Sequence, residues 1–347
     1  MSAWLRMLRV VVGLELAQRV RSVAWYVLLG IVAVVVGGVI VTLYVGLAGF
    51  GQDLGGAIFA TTIFFVMLVT SLVTPALSGN AINGDREAGV LASTQVTQVT
   101  ATQLVLGKVL AAWIASLGFL AVCVPFMLWS ALAGGLRLEV VLIAIPILVA
   151  EIGVVSAIGV GLSGLIRKPI MSTVVSYLVV AALSVGTLIG FAVGGLALTE
   201  EQQHPEITWE YDDTDPYDGG TCVETGDTYP QAVQRFDRVW LLLAANPYVM
   251  ISDAIPPRFD AYGYPDDLFG QIALGVRQAQ VPPQPQTCAS YTGVQDPDQA
   301  RAVYDGALPS WFVGLAIHVA LGAAAVVGAI AANRTPARTL APGSRIA

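Results

Sequence analysis

The sequence predicts an all-α polytopic membrane protein with six transmembrane helices, an N-terminal amphipathic elbow helix, and an extracytoplasmic irregular or mixed domain between helices 5 and 6. Of its 347 residues, 56% are hydrophobic and only 12% are charged, with a mean hydropathy of +0.72. Soluble domains carry about 25% charged residues. Several apolar runs also exceed the roughly 20 residues with which a helix crosses a bilayer. The number and length of these runs exclude a soluble protein with buried helices.

The apolar runs place the predicted spans at residues 25–47, 57–77, 109–132, 140–166, 170–198 and 311–332. Trp25 and Tyr26 open the first span as interfacial anchors. Ahead of it, residues 1–23 carry an amphipathic pattern whose polar face shifts after Gly13. This pattern predicts two short helical pieces lying in the cytoplasmic interface. A signal peptide is disfavoured, because no small-residue cleavage site follows a short apolar core.

Basic residues predict the orientation. With six spans both termini lie on one side, and that side collects Arg6, Arg9, Arg19, Arg21, Arg86, Lys108, Arg167, Lys168, Arg334, Arg338 and Arg345. The short loops opposite hold only Arg137. Positively charged residues remain in the cytoplasm. We therefore expect a multi-pass protein of the cytoplasmic membrane, with both termini and the 79–108 loop in the cytoplasm.

Charge also predicts three regions: residues 1–198 with the elbow and helices 1–5, residues 199–308 as an acidic outside domain, and residues 309–347 with helix 6 and a basic tail. Residues 200–305 hold 18 of the 24 acidic and 5 of the 17 basic residues, a formal charge of −13, while the rest of the chain carries +6. Such a split indicates two environments. The basic residues form no patch, so we expect membrane lipids and not nucleic acid as a partner.

A polar stretch between helices 2 and 3 is the strongest functional signal. Residues 82–108 read INGDREAGVLASTQVTQVTATQLVLGK. The three adjacent charges cannot lie in hydrocarbon, where each would cost about 2.5–3.5 kcal/mol. The stretch resembles the first intracellular loop of ABC-2 type exporter permeases, with an acidic-basic-acidic cluster, a glycine, a short helix (here 90–99) and a Gly-Lys pair that opens the next span. The residues that carry this resemblance are Gly84, Asp85, Arg86, Glu87, Gly89, Leu91, Gly107 and Lys108.

The resemblance implies a permease subunit of an ABC exporter, whose loop is the coupling helix that contacts a separate ATPase subunit. In this family two permease copies, or a permease and a paralogue, line a path that opens alternately to each side. Glu87 and Asp85 would meet basic residues of the ATPase, while Arg86 would pair locally. The alternative is a solvated helix start, with Asp85 near its N-terminus. ATP and magnesium would be held by the partner.

The chain itself lacks a P-loop, because Val109 follows Gly107-Lys108 and no glycine stands five residues before Gly107. We therefore expect a non-catalytic subunit with no cofactor of its own.

One alternative is a polytopic membrane enzyme acting on a lipid-linked substrate at the outer face, with catalytic carboxylates among residues 206–227. Another is a channel, for which no filter-like ring is visible. A co-purifying P-loop ATPase would favour the exporter. The aspartates of residues 212–218 fit no calcium loop and are interpreted as solvated surface.

Four further residues are candidate sites. Glu151 and His318 lie in predicted spans, where ionisable residues usually face a bundle interior or a water-filled path. They are either transport-path groups or neutral residues hydrogen-bonded between helices. Cys222 and Cys288 are the only cysteines of the outside domain, where disulfides persist. A bond between them is favoured over two free thiols, and closing a loop of about 65 residues would contribute roughly 4 kcal/mol in the chain-entropy description.

Overall fold

The computed structural model describes residues 2–47, 55–89, 99–133, 138–210, 220–260, 262–291 and 297–334. The chain forms two compact units. The first comprises Met1–Ser184 and Leu315–Ala347, and the second comprises Val185–Gly314.

The first unit is a helical bundle. Its helices are α1 (Ala3–Val20), α2 (Val23–Leu47), α3 (Gly55–Ser78), α4 (Ala81–Glu87), α5 (Ala101–Ala133), α6 (Leu138–Leu165), α7 (Pro169–Ala181) and the larger part of α14 (Ser310–Ala332). A π-helical turn at Ala182–Gly186 continues α7 into α8 (Thr187–Ala197). Within the described residues, six helical stretches are long and apolar enough to cross a membrane: α2, α3, α5, α6, α7 with α8, and α14. The chain is therefore a mostly helical, multi-pass membrane protein, as its apolar runs predict.

Helices suit these sequences because a bilayer offers no water to backbone groups, and a helix satisfies its own N–H and C=O groups. The polar side chains of α3 are satisfied in the same way. The buried hydroxyls of Thr62, Thr70 and Thr74 each donate to the carbonyl four residues earlier, at 2.7–2.8 Å. These threonines can therefore lie inside the bundle without leaving a donor unpaired.

Helix α5 lies at the centre of this unit and packs against α1, α2, α3 and α6. Small residues allow the closest approaches. A methyl group added at Gly107 of α5 would come within 2.6 Å of Val11 in α1, and one added at Gly161 of α6 would come within 2.5 Å of Ala325 in α14. Since either contact would force the helices apart, the glycines set how closely α1 and α14 can pack.

The second unit combines a β-ribbon with short helices. Strands β1 (Thr199–Glu210) and β2 (Thr221–Gln234) are antiparallel, with an irregular register between Pro205 and Ile207. A 3₁₀ turn at Phe236–Arg238 follows, and then α9 (Trp240–Ala244), α10 (Pro247–Ala254), α11 (Leu268–Gln278), α12 (Cys288–Tyr291) and α13 (Pro297–Gly306). The core of this unit lies between α10 and α11, where Met250, Ile251 and Phe269 are buried.

The two cysteines of the second unit lie together, as the sequence predicts. The sulfur of Cys222 in β2 is 2.07 Å from that of Cys288 at the start of α12, with the Cα atoms 5.5 Å apart. The side chain of Glu224 accepts a hydrogen bond from the Cys288 backbone N–H at 3.1 Å. These contacts hold the short helix α12 against the ribbon.

Two details differ from the expectations drawn from the sequence. Helix α1 runs unbroken through Gly13, where two pieces were expected, because its Val11 packs tightly on α5. Helix α5 begins at Ala101 rather than near residue 109, so Lys108 lies inside the helix.

Candidate functional site

The candidate site is the base of the polar loop, which begins with the short helix α4. The first turn of this helix is held by α6, because the hydroxyl of Ser163 accepts the backbone N–H groups of Ile82 at 3.0 Å and Asn83 at 3.1 Å. Helix N-termini leave such donors without intrahelical partners. Ser163 therefore fixes the start of α4 on the membrane bundle.

Asn83 connects α4 to two further segments. Its buried side-chain amide donates to the Ile166 carbonyl at 2.5 Å and to the Ser172 hydroxyl of α7 at 3.0 Å. The Ser172 hydroxyl in turn donates to the Gly79 carbonyl at 2.6 Å. Since each group is both buried and hydrogen-bonded, these contacts hold the ends of α3, α6 and α7 together.

Lys108 of α5 is the most enclosed charge of the loop region, with 1% of its side chain exposed. Its Nζ lies 2.5 Å from Glu15 Oε1 of α1 and 2.7 Å from Asp85 Oδ2 of α4. One buried ammonium thus joins the N-terminal helix and the loop helix to the central helix. We refer to Lys108, Glu15, Asp85 and Arg19 as the Lys108 cluster.

Arg19 extends this cluster along α1. It donates to the Leu77 carbonyl at the end of α3, at 2.9 Å. Burial lowers the pKa of the Arg19 guanidinium, and the negative charge of Glu15 partly opposes that effect. With two carboxylates and two cations, the cluster is neutral overall, which reduces the cost of enclosing its charges.

Arg86 is also bonded within the chain. It donates to the Asn83 side chain and, at 3.2 Å, to the side-chain oxygen of Asn333 at the end of α14. The amide of Asn333 donates to the carbonyls of Gly164 and Ala329 at 3.2 Å and 2.8 Å. Through Arg86, the loop therefore contacts the last apolar helix of the chain.

Beyond these bonds the loop reaches the surface. Glu87, Ala88 and Gly89 are exposed, and Gly89 has a φ of +71°, a conformation that L side chains rarely adopt. Residues 90–98, including Leu91 and most of the expected coupling helix, lie outside the described residues. Where the described chain resumes, Thr100 and Gln103 cap α5 reciprocally, and the Gln103 amide donates to the Trp4 carbonyl at 3.1 Å.

The contacts of the three charged residues of the loop differ in part from those expected from the sequence. Asp85, expected to face a partner subunit, is 27% exposed and pairs with Lys108. Arg86 pairs within the chain, while Glu87 is exposed. The contacts of Glu15 and Asn333 were missed by sequence reasoning. Glu15 lies on the polar face of an amphipathic helix and Asn333 follows an apolar helix, and neither position reveals its partner.

Glu151 of α6 and His318 of α14 form a pair of their own. Both are buried, and His318 Nδ1 lies 2.7 Å from Glu151 Oε2. Hydroxyl-bearing residues of α3, namely Thr70, Ser71 and Thr74, also border Glu151. These two side chains are therefore hydrogen-bonded to each other between α6 and α14.

The described residues contain no group of three or more His, Cys, Asp and Glu side chains that could hold a metal ion. Residues 211–219, which include the aspartate cluster, lie outside that part of the chain. A comparison with protein-family models finds no match, and no curated protein matches the chain either.

Proposed function

We propose that this chain is the transmembrane permease subunit of an ABC exporter, which couples ATP hydrolysis by a separate ATPase to the export of a substrate across the cytoplasmic membrane. The loop sequence resembles the coupling loop of ABC-2 permeases. The observation that carries the proposal is the connection of buried Lys108 to Glu15 and Asp85. A surface loop that is joined through buried charges to α1 and α5 can transmit force to the bundle.

Separating Lys108 from its carboxylates would leave a buried ammonium without a counter-charge, which costs free energy. A push on α4 therefore shifts α1 and α5 along with it before the Lys108 cluster breaks. The contacts of Asn83 and Arg86 extend the same connection to α6, α7 and α14.

The exposed side of the loop would bind the partner. Glu87 is the charged residue that α4 leaves exposed, and we infer that it contacts basic residues of the ATPase, which would hold ATP and magnesium. A second permease copy or a paralogue would complete the path. Closure of the ATPases would then move the loops and open the path alternately to each side.

The test is purification of the chain from its native membrane, with mass spectrometry of the subunits that accompany it. We expect a P-loop ATPase. The variant Glu87→Ala should reduce its recovery and its transport-coupled ATP hydrolysis, whereas Glu201→Ala, which removes an exposed carboxylate of β1, should change neither. Unchanged association and hydrolysis in Glu87→Ala would reject the coupling role of this residue, and the absence of any ATPase would reject the exporter.

The orientation is part of the same proposal: both termini and α4 in the cytoplasm, the second unit outside, and Cys222 bonded to Cys288. A thiol introduced as Ala88→Cys should react with a membrane-impermeant maleimide only after the cells are opened. One introduced as Gln271→Cys, at an exposed position of α11, should react on intact cells. Peptide mapping without reduction should recover Cys222 and Cys288 as one linked pair. Labelling of Ala88→Cys on intact cells would reverse the orientation.

A further inference from the structure

A cavity of about 250 Å³ lies in the second unit. Its lining combines aromatic and amide side chains, chiefly Tyr262, Tyr264, Gln278 and Gln299, with Val303 on one wall. Tyr262 is 77% exposed and Tyr264 is 48% exposed. Large aromatic side chains that stand at the mouth of a concave polar site are typical of ligand binding.

A tight loop holds the two tyrosines in place. Phe259 and Pro265 pair across its base, and the Asp260 side chain accepts the backbone N–H groups of Tyr262 and Tyr264, both at 2.9 Å. These bonds fix the backbone from which both rings extend. The backbone at both tyrosines is therefore held in place before any ligand arrives, which lowers the entropic cost of binding.

The opposite walls are fixed as well. Gln278 ends α11 and Gln299 lies in the first turns of α13, and these helices are joined by Arg277, which donates to the Tyr304 carbonyl at 2.7 Å and lies 3.8 Å from the centre of its ring. Both glutamines are exposed, and neither side-chain amide is hydrogen-bonded to another described residue. Two amide groups are thus available on a rigid support.

From this lining we propose that the cavity binds a sugar ring. The C–H face of a sugar packs on an aromatic ring, while its hydroxyls both donate and accept hydrogen bonds. A glutamine amide matches such hydroxyls, because it offers two N–H donors and a carbonyl acceptor. The volume is below the 300–1,000 Å³ usual for sites of drug-sized ligands, so it suits one or two rings.

Charged ligands fit the cavity less well. None of the described residues that line it carries a charge, so neither an anion nor a cation would find a counter-ion there. Anions would also be repelled by the surrounding region, whose formal charge over residues 200–305 is −13. A quaternary ammonium could stack on the tyrosines, but it would leave the amide donors of both glutamines unused.

The test uses the full chain alone, in phosphatidylglycerol bilayer discs free of maltoside detergents, which carry sugars themselves. Saturation-transfer NMR would probe the methyl glycosides of glucose, galactose, mannose and N-acetylglucosamine. We expect at least one of them to bind through its ring protons. Tyr262→Ala should weaken that binding about tenfold, the value of losing one aromatic contact, and Gln299→Ala should weaken it as well.

The control is Tyr229→Ala, which removes another exposed tyrosine, 46% exposed, from β2 of the same unit and should leave glycoside binding unchanged. Circular dichroism of each variant would show that it is folded. Three results would overturn the inference: no glycoside bound at about 10 mM, which corresponds to an affinity too weak to be specific; glycoside binding that survives Tyr262→Ala unchanged; or tyrosine-dependent binding of tetramethylammonium in place of the glycosides. None of these measurements involves an ATPase, so failure here is separate from failure of the exporter proposal.

Discussion

The two units each contain a buried ion cluster, and the clusters differ in how completely they are enclosed. In the first unit Lys108 is 1% exposed, but its partners Glu15 and Asp85 are 15% and 27% exposed. In the second unit the side chains of Asp253 and Arg277 are 0% and 7% exposed, with 2.7 Å between Oδ1 and Nε.

The second cluster is also more fully hydrogen-bonded. The other oxygen of Asp253 accepts the Ser310 hydroxyl at 2.9 Å and the Trp311 backbone N–H at 3.1 Å. Such a pair cannot change partners without exposing a bare charge to an apolar core. The partly exposed carboxylates of the Lys108 cluster can instead be rehydrated as the ammonium moves. An ion pair whose partners are both buried, such as Asp253 and Arg277, therefore holds one arrangement of its helices. An ion pair with only one buried partner, such as Lys108, can separate and form again.

The largest effect is expected at the fixed cluster. Asp253→Ala leaves the Arg277 guanidinium buried without its carboxylate, so we expect the free energy of unfolding of the second unit to fall by about 3–5 kcal/mol. Limited proteolysis and thermal unfolding of the full chain would measure this. The control is Asp305→Ala, which removes an exposed i,i+4 partner of Arg301 and should change the free energy by no more than about 0.5 kcal/mol. Equal losses in Asp253→Ala and Asp305→Ala would contradict the larger contribution assigned to the buried pair.

A smaller effect on the free energy of unfolding is expected at the Lys108 cluster. Lys108→Met keeps most of the side-chain length and removes the charge, but Glu15 and Asp85 retain contact with water. We therefore expect a loss of about 2 kcal/mol in the free energy of unfolding, together with ATP hydrolysis that no longer depends on transport. Thermal unfolding in bilayer discs and hydrolysis assays of the complex would test both effects, with Lys108→Arg as the charge-retaining control. A loss as large as that of Asp253→Ala would show that this cluster is fixed too.

The pair of Glu151 and His318, which lies within the apolar helices, should contribute still less to the free energy of unfolding. In bilayers, hydrogen bonds between helices couple by about 0.6 kcal/mol on average, with a maximum near 1.7 kcal/mol. Glu151 and His318 are both buried and 2.7 Å apart, so we expect a coupling of about 1–2 kcal/mol, near that maximum. A double-mutant cycle with Glu151→Gln and His318→Leu, followed by unfolding in bilayer discs, measures it directly. Additive losses would mean that the two side chains do not interact.

These clusters also show what the sequence predicts and what it does not. Apolar length was enough to predict the six spans, because crossing a bilayer imposes a minimum run on each helix. It was not enough to place the start of α5, because the apolar run begins only after Lys108, whereas the helix begins at Ala101. The reason lies in tertiary contacts: Gln103 and Lys108 are satisfied by Trp4 and Glu15 of α1, which lie more than 90 residues earlier in the sequence.

The remaining differences have similar causes. The shift of the polar face after Gly13 favoured a break in α1, but the packing of α1 on α5 overrides that preference. Strands β1 and β2 are polar and exposed along most of their length, so they show little of the alternation by which a half-buried strand is recognised. The proximity of Cys222 and Cys288 was predictable because residues 199–308 contain no other cysteine.

The smallest effect is expected at the ion pair of Arg235 and Asp237, two residues apart in the chain, whose side chains are 18% and 9% exposed. Arg235 donates to both carboxylate oxygens of Asp237, at 2.8 Å and 2.6 Å, and this hydrogen bonding lowers the pKa of the Asp237 carboxyl. A carboxyl whose pKa is lower in the folded state stabilises the fold above the pH at which unfolded aspartates ionise, about 3.9. That contribution is lost as the pH falls through the folded value. Thermal unfolding of the full chain between pH 6 and pH 3 should therefore show a steeper acid loss for the natural chain than for Asp237→Asn. Carboxylates away from Arg235 contribute equally to both profiles, and Glu200, which also pairs with Arg235, is present in both chains. Identical profiles would mean that the contact between Arg235 and Asp237 does not stabilise the fold.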